Sequence, residues 1–554
     1  MAFVITQACC SDATCAAVCP ADCIHPTPDD PNFLHAEMLY IDPARCIDCA
    51  ACVEVCPVDA IHSEDELPLD LKGYASINHD YFTGAPPPPV AQPKSTRTVT
   101  TDRLAVAVVG AGPSGFYAAA ALLDAGPNVT VSLIDRLPTP FGLVRAGVAP
   151  DHQDTKGVTR GFAMTVAHPR VNTFLNVEVG TEVSPADLLA HHHAVVYAVG
   201  AAAGRRPGIP GDDLPGSFSA AEVVGWYNGH PEYADVAVPL NHPTAVVVGN
   251  GNVALDVVRV LLRGQRMDHT DIADHALEAL SDSEIREVIV LGRRGPEHAA
   301  FSFSQLLALD HLAGVDVVVH SPDLDDASPA PELHHASEYA AKQKLALLAE
   351  MASRTPRHDR RIHLRFATAV HGIVGVDAVQ GVHVSSAGTE PSVIETGIVV
   401  SCVGFDGRPV TGVAFDPAAT RIPSRGGRVV DPQGQPVTGQ YVTGWIKRGP
   451  SGVIGTNKAC AEETVDALLD DHRHGLLPEP SQPTAAFANH LEHRSVNRID
   501  RRGWLRIDDH ELRQGRSTGR TRRKLVDLGH MTALAGTTPV PAPAVRSTNL
   551  KENP

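Results

Sequence analysis

A doubly wound α/β architecture, present twice and preceded by a small α+β domain built around cysteines, is what this sequence predicts. Three observations carry that prediction. Nine of the eleven cysteines lie between Cys9 and Cys56. Two apolar strand runs, beginning near residues 104 and 245, each end in a glycine-rich turn that opens a helix. The 554 residues suffice for three or four domains at ~150 residues apiece.

The composition, 43% hydrophobic and 20% charged, is that of an ordinary globular protein. A net charge of −18 argues against general nucleic-acid binding, which needs basic surface to neutralise phosphates. No apolar run approaches the ~20 residues that span a bilayer. The N-terminal MAFVITQACC lacks the basic segment and hydrophobic stretch of a secretory leader. The expectation is a cytoplasmic protein with no nucleic-acid partner and no membrane span.

Residues 1–62 carry nine carboxylates against the single cation Arg45. So small and acidic a segment has few apolar side chains for a core, so whatever its cysteines bind serves as one. A disulfide framework suits the cysteine density, but there is no export signal and nine is odd. Structural zinc would use separated Cys-x2-Cys pairs. The spacing itself favours iron–sulfur ligation. CAAVCPADCI (15–24) repeats as CVEVCPVDAI (52–61), at an offset of 37 residues. The second half, Cys46-x2-Cys49-x2-Cys52-x3-Cys56-Pro57, is the run of bacterial two-cluster ferredoxins, and the first half is the same run with Asp12 in place of the middle thiolate. Because the fourth cysteine of such a run crosses to the other cluster, Cys19, Cys46, Cys49 and Cys52 make a complete 4Fe–4S set. Cys9, Cys15 and Cys56 hold a second cluster, with Asp12 where a fourth ligand would stand. A hard carboxylate holds iron less well than a thiolate, which favours 3Fe–4S over an Asp12-ligated 4Fe–4S cluster. Cys10 competes with Cys9, but the repeat favours Cys9. Cys23 aligns with Ala60 and is expected to be a buried non-ligand.

The expected boundaries are a cluster domain at 1–66, a linker at 67–102 containing the Pro86–Pro89 run, a first nucleotide domain at 103–205 plus 398–554, and a second at 206–397. In the first, LAVAVV (104–109) is a buried strand, and Gly110-x-Gly112-x-x-Gly115 lets backbone approach a pyrophosphate at a helix N-terminus. Asp135 ends the next strand, VTVSLID (129–135), where a carboxylate accepts ribose hydroxyls. In the second, AVVVGNGNVALDVVRVLLR (245–263) contains Gly249-x-Gly251-x-x-Ala254. EVIVLG (287–292) then runs into Arg293-Arg294, a guanidinium pair suited to the 2′-phosphate of NADP. Residues 470–554 are polar and Arg-rich, and partial order is expected there.

Four motifs in order, LPTPFGLVRAGVAPDHQDTK (137–156), GNGNVALDVVRVL (249–261), GRRGPEHAAFS (292–302) and GWIKRGPSGVIGTNK (444–458), resemble the adrenodoxin-reductase family of ferredoxin–NADP reductases, including actinobacterial members fused to a ferredoxin. The resemblance implies glutathione-reductase-like domains that bind FAD and NADP(H). It also implies hydride transfer from NADPH to FAD, then single-electron transfer to the fused clusters and to an external acceptor such as a ferredoxin or a cytochrome-type oxygenase. It assigns Ser114, Leu143 and Val179 to FAD alongside Gly110, Gly112, Gly115 and Asp135. Trp445, Gly452, Val453 and Ile454 fall on returning flavin contacts. Gly249, Asn250, Gly251, Asn252, Val253, Arg293, Arg294, Gln305 and Gly452 fall on NADP contacts. His152 matches a histidine near the flavin, with a role in positioning or proton handling. Gln305 and Ala308 stand where the family has acidic residues, Ser114 replaces the commoner alanine, and Asp135 the commoner glutamate. For the acidic cluster domain, two Arg-rich stretches, 353–365 and 494–524, are candidate landing sites. The alternatives are an NADPH-oxidising subunit of a glutamate-synthase-like complex and a non-catalytic iron–sulfur carrier.

Overall fold

Leu104–Val109 is buried along its whole length, as a strand covered on both faces must be, and it is an interior strand of a seven-stranded sheet in this computed structural model. The structure describes residues 2–30, 33–83, 100–321, 324, 327–328, 335–386 and 389–536. Across the sheet the order is Ser424–Arg425, Arg428–Val430, Pro436–Val442, Ala194–Tyr197, Leu104–Val109, Val129–Asp135 and Val171–Leu175. The five strands from Pro436–Val442 onward are parallel. The Ala-rich helix Pro113–Asp124 packs with helix Thr456–Arg473 over this sheet.

The second sheet has six strands, all parallel: Ser217–Ser219, Ile398–Ser401, Thr244–Val248, Glu287–Leu291, Arg360–Arg365 and Val315–His320. A three-stranded antiparallel sheet, Thr368–Gly375, Val379–Ser386 and Ser392–Glu395, packs beside it. Strand Ile398–Ser401, expected in the first nucleotide domain, therefore belongs to the second. Its apolar residues pair with Thr244–Val248, and the chain crosses back only afterwards, where Phe405–Asp406 pairs with Ala203–Gly204.

The internal repeat of the N-terminal domain is visible in the backbone. Left-handed φ angles occur at Ser11, Ala13 and Asp22 and recur 37 positions on at Asp48, Ala50 and Asp59. Alternating left-handed residues turn successive N–H groups inward, and such concavities suit anionic groups, iron–sulfur sites included. Residues 67–83, expected as linker, instead include the helix Gly73–Phe82. Tyr74, Ile77, Asn78 and Tyr81 are buried from it into the cluster domain's core. The side-chain oxygen of Asn78 accepts from the N–H groups of Ile5 (3.2 Å) and Ile41 (2.9 Å), while its amide donates to the Ile5 and Tyr74 carbonyls. The Pro86–Pro89 run lies outside the described residues.

The cluster domain is seated on both nucleotide domains. Gly455 N–H donates to the Cys10 carbonyl at 2.8 Å, and a Cβ at Gly455 would collide with main-chain atoms of Cys10 and Asp12. Lys458 Nζ donates to Thr14 Oγ1 (2.8 Å), and Arg160 to Asp59 (2.5 Å). On the second domain, Glu37 accepts from the Phe303 N–H (2.6 Å) and pairs with Lys344 (3.4 Å), and Tyr339 packs edge-on against the stacked Tyr40 and Tyr81. Neither expected landing site takes part in these contacts. Arg354 pairs with Asp310 and Glu350, Arg361 with Glu287, Arg520 and Arg523 with Asp274, and Arg522 with Asp508 and Glu511, so carboxylates elsewhere in the fold already hold part of each run.

The Arg-rich region expected to be partly ordered forms helices Phe487–His493, Arg501–Ser517 and Leu528–Gly536. Residues 537–554 lie outside the described residues. Among the described residues no helix is long and apolar enough to cross a membrane.

Two outcomes follow from this packing. Asn78→Ala would leave two buried N–H groups unpaired, and calorimetry should show the cluster domain's stability reduced by about 1–3 kcal/mol. Gly455→Ala should unseat the cluster domain while the nucleotide domains stay folded, which small-angle scattering would record as a larger radius of gyration.

Candidate functional site

In both nucleotide domains the chain leaves an interior strand, Leu104–Val109 or Thr244–Val248, at a point where the strands on either side connect in opposite directions, the place where doubly wound sheets bind ligands. Gly110 and Gly249 stand there with φ of 109° and 111°. A Cβ at either would strike a carbonyl of the neighbouring strand's continuation, Ala198 in one case and Cys402 in the other. Beyond these turns the backbone lies open. Nothing lies within 4 Å of a Cβ built on Gly251, and only Gly142 Cα, at 3.9 Å, meets one on Gly112. These are cradles into which a dinucleotide backbone fits.

Around the first turn, Gly115 packs its helix onto the Gly110 carbonyl. Asp135 accepts from the N–H groups of Ala111 (2.6 Å) and Leu137 (2.9 Å). Burial pushes its carboxyl up, and those two donors partly offset this. Ser114 Oγ donates to Asn457 Oδ1 at 3.0 Å, joining the first glycine turn to the returning 444–458 motif. Within that motif Trp445 Nε1 donates to the Ser451 carbonyl (3.1 Å), closing the loop that leads into Gly452, Val453 and Ile454. Leu143 sits partly exposed on the short helix Gly142–Ala146, and Val179 is buried in a turn beyond strand Val171–Leu175. Ser114, Asp135, Trp445 and the 452–454 stretch are thus brought to one end of the sheet.

At the second turn, Asn250 lies against Gly292, and Asn252 Oδ1 accepts from the Ser302 N–H at 2.7 Å. Val253 follows in helix Asn252–Arg263. Arg293 and Arg294 are exposed just past strand Glu287–Leu291. Gln305 Oε1 accepts from Arg259 Nη1 at 2.5 Å.

Arg259 is the functional-site residue that sequence reasoning missed. It is almost wholly buried, and it also donates to Asp151 (3.0 Å), Asp256 (2.5 Å) and His152 Nε2 (2.7 Å). Since a guanidinium only donates, Nε2 of His152 is an acceptor and the imidazole proton sits on Nδ1, 4.0 Å from Asp256. Burial, and then the Arg259 charge, hold the His152 pKa below its ordinary value. Burial alone would lower the Arg259 pKa, but Asp256 and Asp151 more than reverse it. The signal was present as a lone arginine inside the apolar helix run VALDVVRVLL. The C-terminal helices were missed too. Glu511, fully buried, grips Arg145 of the GLVR motif through two bonds (2.8 and 2.5 Å) and also binds Arg522. Lys524 reaches Asp271, which Lys156 also holds, and so ties the C-terminal segment to the second domain.

In the N-terminal domain, Cys19, Cys46, Cys49 and Cys52 line one cavity, as the repeat predicts. Cys23 lines it as well, its Sγ 3.3 Å from that of Cys19, so the expected non-ligand is buried but adjacent. Cys15 is buried in the core against which Cys9 and Cys56 pack, and burial first, then Cys9, Asp12 and Cys56, push its thiol up. Both oxygens of Asp12 are engaged by Thr14, from its N–H (3.1 Å) and its hydroxyl (2.6 Å). Cys10 is buried in the core of the first nucleotide domain, its main chain on Gly455. The thiol donor sets and inward-turned N–H groups fit iron–sulfur clusters.

Residues 39–62 match the family of 4Fe-4S binding domains, and residues 108–176 match the NAD(P)-binding Rossmann-like domain. A probable ferredoxin/ferredoxin–NADP reductase of Mycobacterium bovis is 44% identical over 97% of this chain and 96% of its own length. Its counterpart in Mycobacterium leprae is also 44% identical, over 97% of this chain and 99% of its own. The solved structure of Mycobacterium tuberculosis FprA in complex with NADPH aligns with a TM-score of 0.73 and 40% identity, covering 78% of this chain and all 100% of that one. Matches that run nearly from end to end, over a cysteine domain and two nucleotide folds in the same order, place this chain in the ferredoxin/ferredoxin–NADP reductase family of oxidoreductases.

Proposed function

We propose that this protein is an NADPH–ferredoxin reductase of the ferredoxin–NADP(+) type, moving electrons from NADPH by way of FAD to clusters on its own N-terminal domain. The observation that carries the reading is the seat of the Cys10–Asp12 loop on Gly455, one residue from the Gly452–Ile454 stretch assigned to the flavin. Gly110, Gly112, Ser114, Gly115, Asp135, Leu143, Val179 and Trp445 would hold FAD. Gly249, Asn250, Gly251, Asn252, Val253, Arg293 and Arg294 would hold NADP(H). Gly452 would meet both, and Gln305 acts only through Arg259. Cys19, Cys46, Cys49 and Cys52 would hold a 4Fe–4S cluster, and Cys9, Cys15 and Cys56 a 3Fe–4S cluster. The engagement of both Asp12 oxygens by Thr14 supports three irons over four. Held by these residues, FAD would supply acceptance of a hydride and release of single electrons, which the clusters require.

The chain's own work is orientation. The Arg259 guanidinium fixes the His152 ring, so its Nδ1–H is the proton it can offer near the flavin site. The Glu511 carboxylate anchors the GLVR helix through Arg145. Arg293 and Arg294, exposed and close together in sequence, favour the extra phosphate of NADPH over the bare ribose of NADH.

Anaerobic NADPH should bleach the protein's flavin absorbance, and the air-oxidised protein should give the paramagnetic resonance signal of a 3Fe–4S cluster. Zinc in place of iron and sulfide, or a protein without flavin, would overturn the reading. Arg293→Ala with Arg294→Ala should raise KM for NADPH about tenfold or more, since a hydrogen bond to a charged group contributes ~1.5–3 kcal/mol. KM for NADH and the kcat with NADPH should change little in steady-state assays.

A further inference from the structure

The two halves of the N-terminal domain face different surroundings. The Asp12 half is enclosed: Cys10–Asp12 rests on Gly455, Thr14 on Lys458, and Asp59 on Arg160, with Cys10, Val58 and Ala60 buried in the core of the first nucleotide domain. The other half opens outward. Cys49 is exposed, Ile47 between Cys46 and Cys49 is 63% exposed, and Val18, next to Cys19, is 39% exposed.

Resting on the electron-transfer reading above, we propose that the Asp12 half receives electrons from the flavin side and the open half passes them out. The face around Ile47, Cys49 and Val18 is then the docking surface for a protein acceptor, a one-electron carrier whose redox centre is ringed by lysines or arginines. Charge complementarity selects that partner. Contacts with the nucleotide domains engage Glu37 and Asp59 and reach Asp12 through Thr14. Asp22 and Asp48 stay on the open half, where Arg45, the one Lys or Arg of residues 1–62, lies 4.0 Å from Asp22. An exposed apolar residue within an acidic margin has the layout of a small interface with an apolar centre and a polar rim. The acidic margin speeds encounter with a basic partner. Electrons tunnel only over short distances, so an acceptor must reach the half in which a cysteine of the set, Cys49, comes to the surface. In the balanced reaction one NADPH becomes NADP+ and one proton is released, while two acceptors each gain one electron.

Ferric cytochrome c, a basic-rimmed one-electron acceptor, is the probe. In the holoenzyme, Ile47→Lys should lower kcat/KM for cytochrome c about tenfold, within the range of electrostatic steering. It should weaken binding of oxidised cytochrome c to the oxidised protein, measured by surface plasmon resonance, by a similar factor. Val376→Lys, which puts the same charge on an 81% exposed position of the second nucleotide domain, should do neither. Freeze-quench paramagnetic resonance after NADPH should give the same cluster reduction rate in both variants and the parent, with the 3Fe–4S signal changing first. Equal losses in the two variants, no loss at Ile47, or first reduction of the open-half cluster would overturn the proposal. A protein without flavin, or one that NADPH does not bleach, would instead overturn the reading beneath it.

Discussion

Backbone approaching backbone where no side chain fits is the constraint on which this structure depends. It operates at Gly110 against Ala198 and at Gly249 against Cys402, where each glycine turn is pressed onto the next strand so that the helix behind it begins at the open end of the sheet. It operates again at Gly455 against Cys10 and Asp12. The first two contacts make nucleotide sites, and the third sets a cysteine domain beside one of them. A side chain at any of the three would force main chain to move. Main chain in a parallel sheet or in a thiolate-bearing loop has little room to do so.

Buried charge then fixes how the units meet. Glu511, Asp271 and Arg259 are each removed from water and each held by more than one partner drawn from distant parts of the chain. Taking such groups out of water costs several kcal/mol apiece, which good geometry offsets without much surplus. Their effect is therefore on arrangement more than on stability. An Arg145 without Glu511, or an Asp271 without its two lysines, would be an uncompensated charge. Any other packing of the C-terminal helices on the two nucleotide domains therefore carries a heavy penalty.

Much of this was legible in the sequence because it was local. Leu104–Val109 and Val129–Asp135 have the bounds their apolar runs suggest, and the 37-residue repeat returns as paired left-handed backbone angles. What escaped was non-local. Tyr74, Ile77, Asn78 and Tyr81 follow the i, i+3, i+4, i+7 pattern of a helix, but a buried asparagine disguises its apolar face, and its partners Ile5 and Ile41 are far away in sequence. The arginine runs read as a docking surface because nothing in their own segments shows Asp274, Asp310 or Glu287 lying opposite them in the fold. Ile398–Ser401, expected in the first nucleotide domain, lies in the second because a parallel strand carries no mark of its neighbour in its own residues.

The departure at Gln305 fits the charge around Arg259. That guanidinium already faces the carboxylates of Asp151 and Asp256, so the buried group carries one negative charge more than its single positive one, and Arg263, 3.2 Å from Asp151, brings it to balance. A carboxylate at position 305 would add a negative charge in a place shielded from water, where it would raise the pKa of whichever acid held its proton most easily and would favour protonation of His152. The amide supplies the same acceptor to Arg259 without that charge. Burial and the Arg259 charge hold the His152 pKa down, and an uncharged residue at 305 leaves that balance alone, with Nε2 accepting from Arg259 and Nδ1 protonated. A glutamate there would pull the imidazole towards its doubly protonated form, in which Nε2 could no longer accept the bond that orients the ring.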